Sequence, residues 1–293
     1  MIPGFDDTTA EIGGETVAWS AGGDGPPVLL LHGFPQTRAL WAEIGPLLAR
    51  EYRVIAPDLR GYGASQKPRS HEDATFRHMA RDLAGLMESL GHARYHVIGH
   101  DRGARTAHRL VLDHPDRVAS LQLLDIIPTH LLLTDLRRET ALAYYHWFFL
   151  AQPSPFPERL IAADPDYVFE SCLLGWGAAR IEDYAPAQLE AYRAAWRDPA
   201  TIKGMCDDYR AAALIDVDLD AADLDRRIPC PTHILWGTDG AMGRQYDVPA
   251  TWTDRCAQPP RATPMPGGHF FPDTSPEETA AALAGFLADQ AGL

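Results

Sequence analysis

Tyr95-His-Val-Ile-Gly-His-Asp-Arg-Gly-Ala-Arg105 reads as a short buried strand, a sharp turn centred on Asp101 and the first residues of a helix. The frame Gly99-His100-Asp101-Arg102-Gly103 places small residues on both sides of the turn, as a strained strand-to-helix corner requires where neighbouring backbone comes close. The central residue decides the chemistry. A serine in this position attacks acyl carbons, and displacement at a saturated carbon would leave it as a stable ether. A carboxylate leaves an ester whose carbonyl water can attack, which regenerates the side chain. Asp101 therefore predicts displacement at an alkyl carbon.

Working outward, apolar runs at Pro27 to His32, Tyr52 to Asp58, Tyr95 to His100, Ser120 to Asp125 and Thr232 to Gly237 each end in polar or glycine-rich loops. Helical patterns such as Met79 to Leu90 lie between them. The alternation predicts an α/β fold with a mostly parallel central sheet flanked by helices. Functional groups then gather beyond the carboxyl ends of the strands, where His32, Asp58, Asp101, Asp125 and Asp239 fall. From about Pro128 to Arg226 the alternation gives way to helix formers, aromatics and prolines, which predicts an inserted helical cap over 128–226 and a core domain built from 1–127 and 227–293. Pro276 to Leu287 is expected to be a closing helix capped by Thr274 or Ser275.

At 293 residues and 46% hydrophobic, the chain can bury a large core. Its 40 acidic and 26 basic residues give a formal charge of -14, which argues against nucleic acid or anionic membranes as partners. An anionic substrate would need its own concentrated positive charge, and Arg102 and Arg105 stand beside Asp101. Cys172, Cys206, Cys230 and Cys256 show no metal-ligand spacing, so reduced packing cysteines are expected, with no zinc site and no cofactor. The N-terminal residues lack signal-peptide character and no apolar run approaches a bilayer span, so a cytoplasmic location is expected.

A nucleophile, an orienting acid and a histidine in that order is the arrangement of the α/β-hydrolases. His269, in Pro266-Gly-Gly-His-Phe-Phe271, is the candidate base for the water that attacks the ester. Any of the 12 histidines is by itself a packing or surface residue, but the flanking glycines and late position single this one out. Asp125 and Asp239 both sit where an acid could hold the imidazole by one nitrogen, and position alone leaves them tied. The loop His32-Gly-Phe-Pro35 suggests backbone N–H groups of Phe34 and Arg102 as oxyanion donors, with His32 a structural partner. Pro57-Asp-Leu-Arg-Gly-Tyr-Gly63 lacks the features of a phosphate loop and reads as architecture, with Asp58 and Arg60 as internal partners.

The chain resembles the fluoroacetate dehalogenases, within the α/β-hydrolases that include haloalkane dehalogenases and epoxide hydrolases. The resemblance spans nearly the whole sequence and is most specific at Gly99-His-Asp-Arg-Gly-Ala-Arg-Thr106, Leu124-Asp-Ile-Ile-Pro-Thr129, His146-Trp147, Gly175-Trp-Gly177, Asp208-Tyr-Arg210 and Gly267-Gly-His-Phe270. It implies Asp101 as nucleophile, His269 as base and Asp125 as acid, which breaks the tie with Asp239. It also implies Arg102 and Arg105 as the clamp for a substrate carboxylate, and His146, Trp147 and Tyr209 as donors to the departing halide. Ala104 stands where that family is expected to carry glycine. The implied substrate is a small haloacid, fluoroacetate giving glycolate and fluoride, and the implied assembly is a homodimer.

Two other functions compete. An epoxide hydrolase shares the aspartate nucleophile and uses cap tyrosines as acid, for which Tyr144, Tyr145, Tyr184 and Tyr192 are available. A neutral epoxide gives a paired Arg102 and Arg105 little purpose, and the same argument disfavours a haloalkane dehalogenase. A binding protein without turnover is opposed by the complete Asp101, Asp125 and His269 set.

Overall fold

The computed structural model describes residues 2–175 and 179–290. Eight strands, β1 (Asp6–Ile12), β2 (Glu15–Gly22), β3 (Pro27–Leu31), β4 (Arg53–Pro57), β5 (Tyr95–His100), β6 (Val118–Leu124), β7 (Thr232–Gly237) and β8 (Arg261–Met265), form one sheet in the order β1-β2-β4-β3-β5-β6-β7-β8. β1 and β2 pair antiparallel, as do β2 and β4, and all other pairs are parallel. The five expected strands are present, with bounds shifted by at most two residues at either end. β1, β2 and β8 have no counterpart in those apolar runs: β1 and β8 are largely exposed edge strands that need no apolar pattern, and β2 is buried but mixes Ala18, Ser20 and Gly22 with its apolar residues.

Alternate residues of the central strands feed two cores. Leu29, Leu31, Val97, Leu121 and Leu123 face the helices Phe76–Ser89 and Arg102–Asp113. Val28, Leu30, Ile98, Leu124 and Leu235 face Ile44–Leu48 and Pro276–Ala288. Every residue of β5 and β6 is buried, as expected of strands covered on both faces. Ser275 precedes the closing helix without a side-chain cap bond, so the cap inferred from sequence is only positional.

Between β6 and β7 the described residues form helices and no strand, from Thr129–Thr134 to Val217–Ala222. The first core runs on into this segment through Trp147, Tyr192, Trp196 and Tyr209. Ala143 to Leu150 is not one helix, as its aromatic run suggests. Two short helices, Arg138–Ala143 and Tyr145–Leu150, meet at a non-helical Tyr144. No helix among the described residues is long and apolar enough to cross a membrane.

Candidate active site

Asp101 sits at the end of β5 with φ 47° and ψ -112°, a conformation strained for a residue bearing a Cβ. Its neighbours show why the frame is glycine-rich. A Cβ on Gly99 would lie 2.5 Å from the Gly103 carbonyl oxygen, and one on Gly103 would lie 2.4 Å from the carbonyl oxygens of Leu31 and His32. A Cβ on Gly33 would strike that of Asp101 at 2.6 Å. Ala104, in the place expected to be glycine, is buried and tolerated, although its Cα is one of the atoms crowding Gly99.

Three strand ends converge here. Asp125, after β6, also has positive φ, at 52°. Its Oδ1 accepts from the Gly237 N–H at 2.9 Å, which aims Oδ2 at His269 Nδ1, 2.6 Å away. His269 Nε2 lies 4.0 Å from Asp101 Oδ1, beyond a direct hydrogen bond, so the imidazole is not committed to that carboxylate. The Phe34 N–H reaches Asp101 Oδ2 at 3.1 Å, as the loop predicts. Asp239 lies outside this cluster, half exposed and 3.9 Å from Arg244. His32 Nε2 accepts from the Leu59 N–H, a structural bond. Asp58 pairs with Arg38, and Arg60 pairs through Nε and Nη2 with Asp82, so both belong to the architecture.

The charges reinforce one another. Burial alone would raise the Asp101 carboxyl, but the imidazole of His269 and the guanidinium of Arg102 hold it below the ordinary value. Burial would lower His269, yet its hydrogen bond and charge interaction with Asp125, together with Asp101, leave it raised. Asp101 is therefore ionised at neutral pH, and part of what holds a proton on His269 is the charge of Asp101 itself.

Arg102 and Arg105, one turn apart, are both buried, but they differ. Arg102 Nε donates to Asp208 Oδ2 at 2.8 Å, and Nη2 donates to the Asp208 backbone oxygen at 3.0 Å and contacts Oδ1. Tyr62 Oη donates to the same carboxylate at 2.7 Å. Only Nη1 of Arg102 has no hydrogen-bond partner among the described residues. Arg105 Nη1 donates to the Ile127 carbonyl and to Thr129 Oγ1, at 3.0 and 3.1 Å, and no carboxylate lies within ion-pair distance of it among the described residues. Burial pulls its pKa down to about 10, which leaves it charged at neutral pH. Asp208 belongs to the quoted Asp208-Tyr-Arg210 stretch, but nothing local in the sequence marks it as the neutraliser of Arg102, 106 positions away.

Rings from the helical segment close over this charge. His146 stacks on Phe34 at 5.7 Å, and Tyr209 lies 5.0 Å from Phe34, 5.5 Å from His146 and 5.2 Å from Trp147. The Arg102 guanidinium lies 4.3 Å from the Tyr209 ring and 4.8 Å from the Trp147 ring, and that of Arg105 lies 4.8 Å from Trp147. Burial keeps His146 neutral by pushing its pKa well down. Trp147 Nε1 and Tyr209 Oη are buried donors with no hydrogen-bond partner among the described residues, an arrangement that costs free energy unless a ligand uses them. A cavity of about 390 Å³, lined by Phe34, His146, Phe149, Phe169 and Cys172 among others, adjoins this face. Trp176 and Gly177 of the Gly175-Trp-Gly177 stretch lie outside the described residues. No cluster of His, Cys, Asp or Glu with metal-binding geometry occurs among the described residues.

Of the four tyrosines proposed as epoxide acids, Tyr184 donates to the Leu173 carbonyl and Tyr192 to Asp273. Tyr145 is half exposed in the cavity wall, and Tyr144 alone is buried close enough to feel the charges of both Asp125 and Asp101.

The model of the alpha/beta hydrolase fold family matches residues 26–276. The chain is 49% identical over 292 residues to a fluoroacetate dehalogenase of a Burkholderia species, covering 99% of this chain and 96% of that one. It is 30% identical to a soluble epoxide hydrolase of a Corynebacterium species over 92% of each chain. A crystal structure of an alpha/beta hydrolase from Nostoc superposes with a TM-score of 0.95 at 46% identity, covering 98% of this chain and 99% of that one.

Proposed function

The chain belongs to the fluoroacetate dehalogenase family of the α/β-hydrolases, hydrolases acting on carbon–halide bonds, and from that membership we propose that it converts haloacetates, fluoroacetate included, to glycolate and halide through an ester on Asp101. The observation that carries the proposal is Arg105, a buried cation with no carboxylate in ion-pair distance among the described residues, set one helical turn from an ionised Asp101 and against the ring of Trp147. Arg105 and the Nη1 group of Arg102 offer charge-assisted donors to a substrate carboxylate, which fixes the neighbouring halogen-bearing carbon for in-line attack.

An Asp101 carboxylate oxygen forms the new C–O bond as the C–X bond breaks, and the halide leaves with its electron pair. Fluoride is small and strongly hydrated, so the indole N–H of Trp147, the phenol O–H of Tyr209 and the imidazole of His146 replace water as charge grows on it. Esterification removes the Asp101 charge, one of the causes that raise His269, and so lowers the imidazole pKa when a neutral base is needed. His269 then takes a proton from water attacking the Asp101 carbonyl carbon, and Asp125 stabilises the imidazolium. The N–H groups of Phe34 and Arg102 hold the tetrahedral oxyanion until it collapses; the departing glycolate oxygen takes the proton from His269, and the Asp101 carboxyl sheds its remaining proton to water, which restores the carboxylate.

In this reading residues 128–226 act as the cap. The protein works in the cytoplasm as a homodimer, and exposed apolar side chains on the helical segment, Leu142, Phe156, Leu160 and Tyr167, support pairing. An epoxide hydrolase remains the second reading, favoured by the placement of Tyr144 and by the 30% identical relative. Fluoride and chloride release from fluoroacetate and chloroacetate, measured beside diol formation from styrene oxide, tests the choice. Halide release without diol is expected, and diol without halide would overturn it.

A further inference from the structure

Four buried side chains outside the reacting groups form an unbroken chain. His100 Nε2 lies 2.8 Å from the His269 carbonyl oxygen, and His100 Nδ1 lies 3.2 Å from Gln36 Oε1. The Gln36 amide nitrogen contacts Asp273 Oδ2, and Tyr192 Oη donates to Asp273 Oδ1 at 2.8 Å. His100 is the residue before Asp101, Gln36 lies two after Phe34, and Tyr192 belongs to the helix Pro186–Trp196.

Donor and acceptor accounting limits where the protons can sit. A carbonyl only accepts, so His100 Nε2 must carry hydrogen. A neutral imidazole then has a bare Nδ1 and needs a donor, which the Gln36 amide supplies once its terminal group is turned by half a rotation, a choice set by the network. The amide oxygen now faces Asp273 Oδ2, and two acceptors would oppose each other unless Asp273 is protonated. The alternative, an imidazolium at His100 and a carboxylate at Asp273, contains the same number of protons. Burial decides between them. It pushes His100 down to about 4, with His269 adding to the effect and Asp101 and Asp125 opposing it. It pushes Asp273 up to about 7, against Tyr192, Gln36 and His269 and with the help of Glu43, while Tyr184 also faces this carboxyl.

We propose that Gln36, His100, Asp273 and Tyr192 are positioning residues, a neutral relay with its proton on Asp273 that ties the His269 loop, the Asp101 elbow and the Phe34 loop to the Pro186–Trp196 helix. This rests on the ester mechanism above. Ester formation needs Asp101 and the arginines. Hydrolysis also needs His269 and the Phe34 N–H in register with the ester carbonyl, and both hang on the relay. Its loss therefore slows the second step selectively.

The test uses the full chain with chloroacetate, following chloride release and the mass of the intact protein, for Gln36→Leu, Asp273→Leu, Asp273→Asn and Tyr192→Phe. Gln36→Leu and Asp273→Leu are expected to lower kcat by about 10- to 100-fold and to accumulate carboxymethyl ester. Their kcat/KM, which reports only the steps through irreversible ester formation, should change by less than about threefold. Asp273→Asn can donate to Gln36 and accept from Tyr192 as the protonated acid does, so it should stay near wild type, with Tyr192→Phe between. Equal loss of kcat and kcat/KM in Gln36→Leu would overturn the positioning role. Asp273→Asn as impaired as Asp273→Leu would overturn the proton assignment. If the leucine variants do not fold, Asp273→Asn and Tyr192→Phe still decide, because loss of activity in Asp273→Asn contradicts the relay. Absence of ester in a His269→Asn variant would instead sink the ester mechanism, and the relay's kinetic role with it, while the stability of Asp273→Asn against pH still reads the proton.

Discussion

The two halves of the site are built on opposite terms. On the strand ends, Asp101, Asp125 and His269 are held by bonds within the core, with the Phe34 and Gly237 N–H groups and the Asp125 to His269 contact of 2.6 Å fixing each partner. Across from them, the helical segment presents Trp147 Nε1 and Tyr209 Oη as buried donors with no hydrogen-bond partner among the described residues. In the proposed reaction the half that would make and break covalent bonds is held in place beforehand, and the half that would meet the leaving group keeps its donors uncommitted, as electrostatic preorganisation requires. Asp208 is where the halves join, a helical-segment carboxylate that neutralises a core arginine.

The strongest way to break this division is to remove the proposed core nucleophile. Asp101→Asn keeps the shape and removes the attacking charge, and halide release should fall by at least about 10⁴-fold, judged by ion-selective electrode. Next comes the joint between the halves. Asp208→Ala leaves Arg102 charged and unpaired in a dry interior, which should cost about 3–5 kcal/mol in a denaturant titration, where a shift under about 1 kcal/mol would show the pair to be dispensable. The helical half should be selective for the leaving group. Trp147→Phe or Tyr209→Phe should cost about 10²-fold in kcat with fluoroacetate and clearly less with chloroacetate. Equal losses for the two halides would place those donors elsewhere in the cycle.

The smallest effect sharpens the boundary at Asp273. Because its native pKa is raised to about 7, the folded protein binds a proton there that the unfolded chain has released. Wild type therefore loses stability relative to Asp273→Asn as pH rises from about 4 to about 7, and the difference is constant above that. Melting temperatures across this range check it, and a difference that does not vary with pH contradicts a protonated Asp273.

The same division explains what could be read from the sequence. Gly99 and Gly103 announce the elbow because backbone crowding there admits no Cβ, and the five apolar runs announce the central strands because both of their faces are buried. β1 carries no such signal, since an exposed edge strand needs no apolar pattern. Spacing left Asp125 tied with Asp239, for both follow strands; the resemblance favoured Asp125, and the fold separates the residue that meets His269 from the one in solvent. His146, Trp147 and Tyr209 look like core aromatics locally, and resemblance alone singled them out. Asp208 and Gln36 could not be assigned at all, because their partners lie 106 and 237 positions away, where no local periodicity reaches.

The central claim is that Asp101 is alkylated and His269 serves only to free it. The most direct measurement is the intact mass of a His269→Asn variant incubated with chloroacetate or fluoroacetate, followed by mapping of the modified peptide. One carboxymethyl group, on Asp101, is expected, with a single equivalent of halide released and no turnover. An unmodified protein, or a label on another residue, would contradict it.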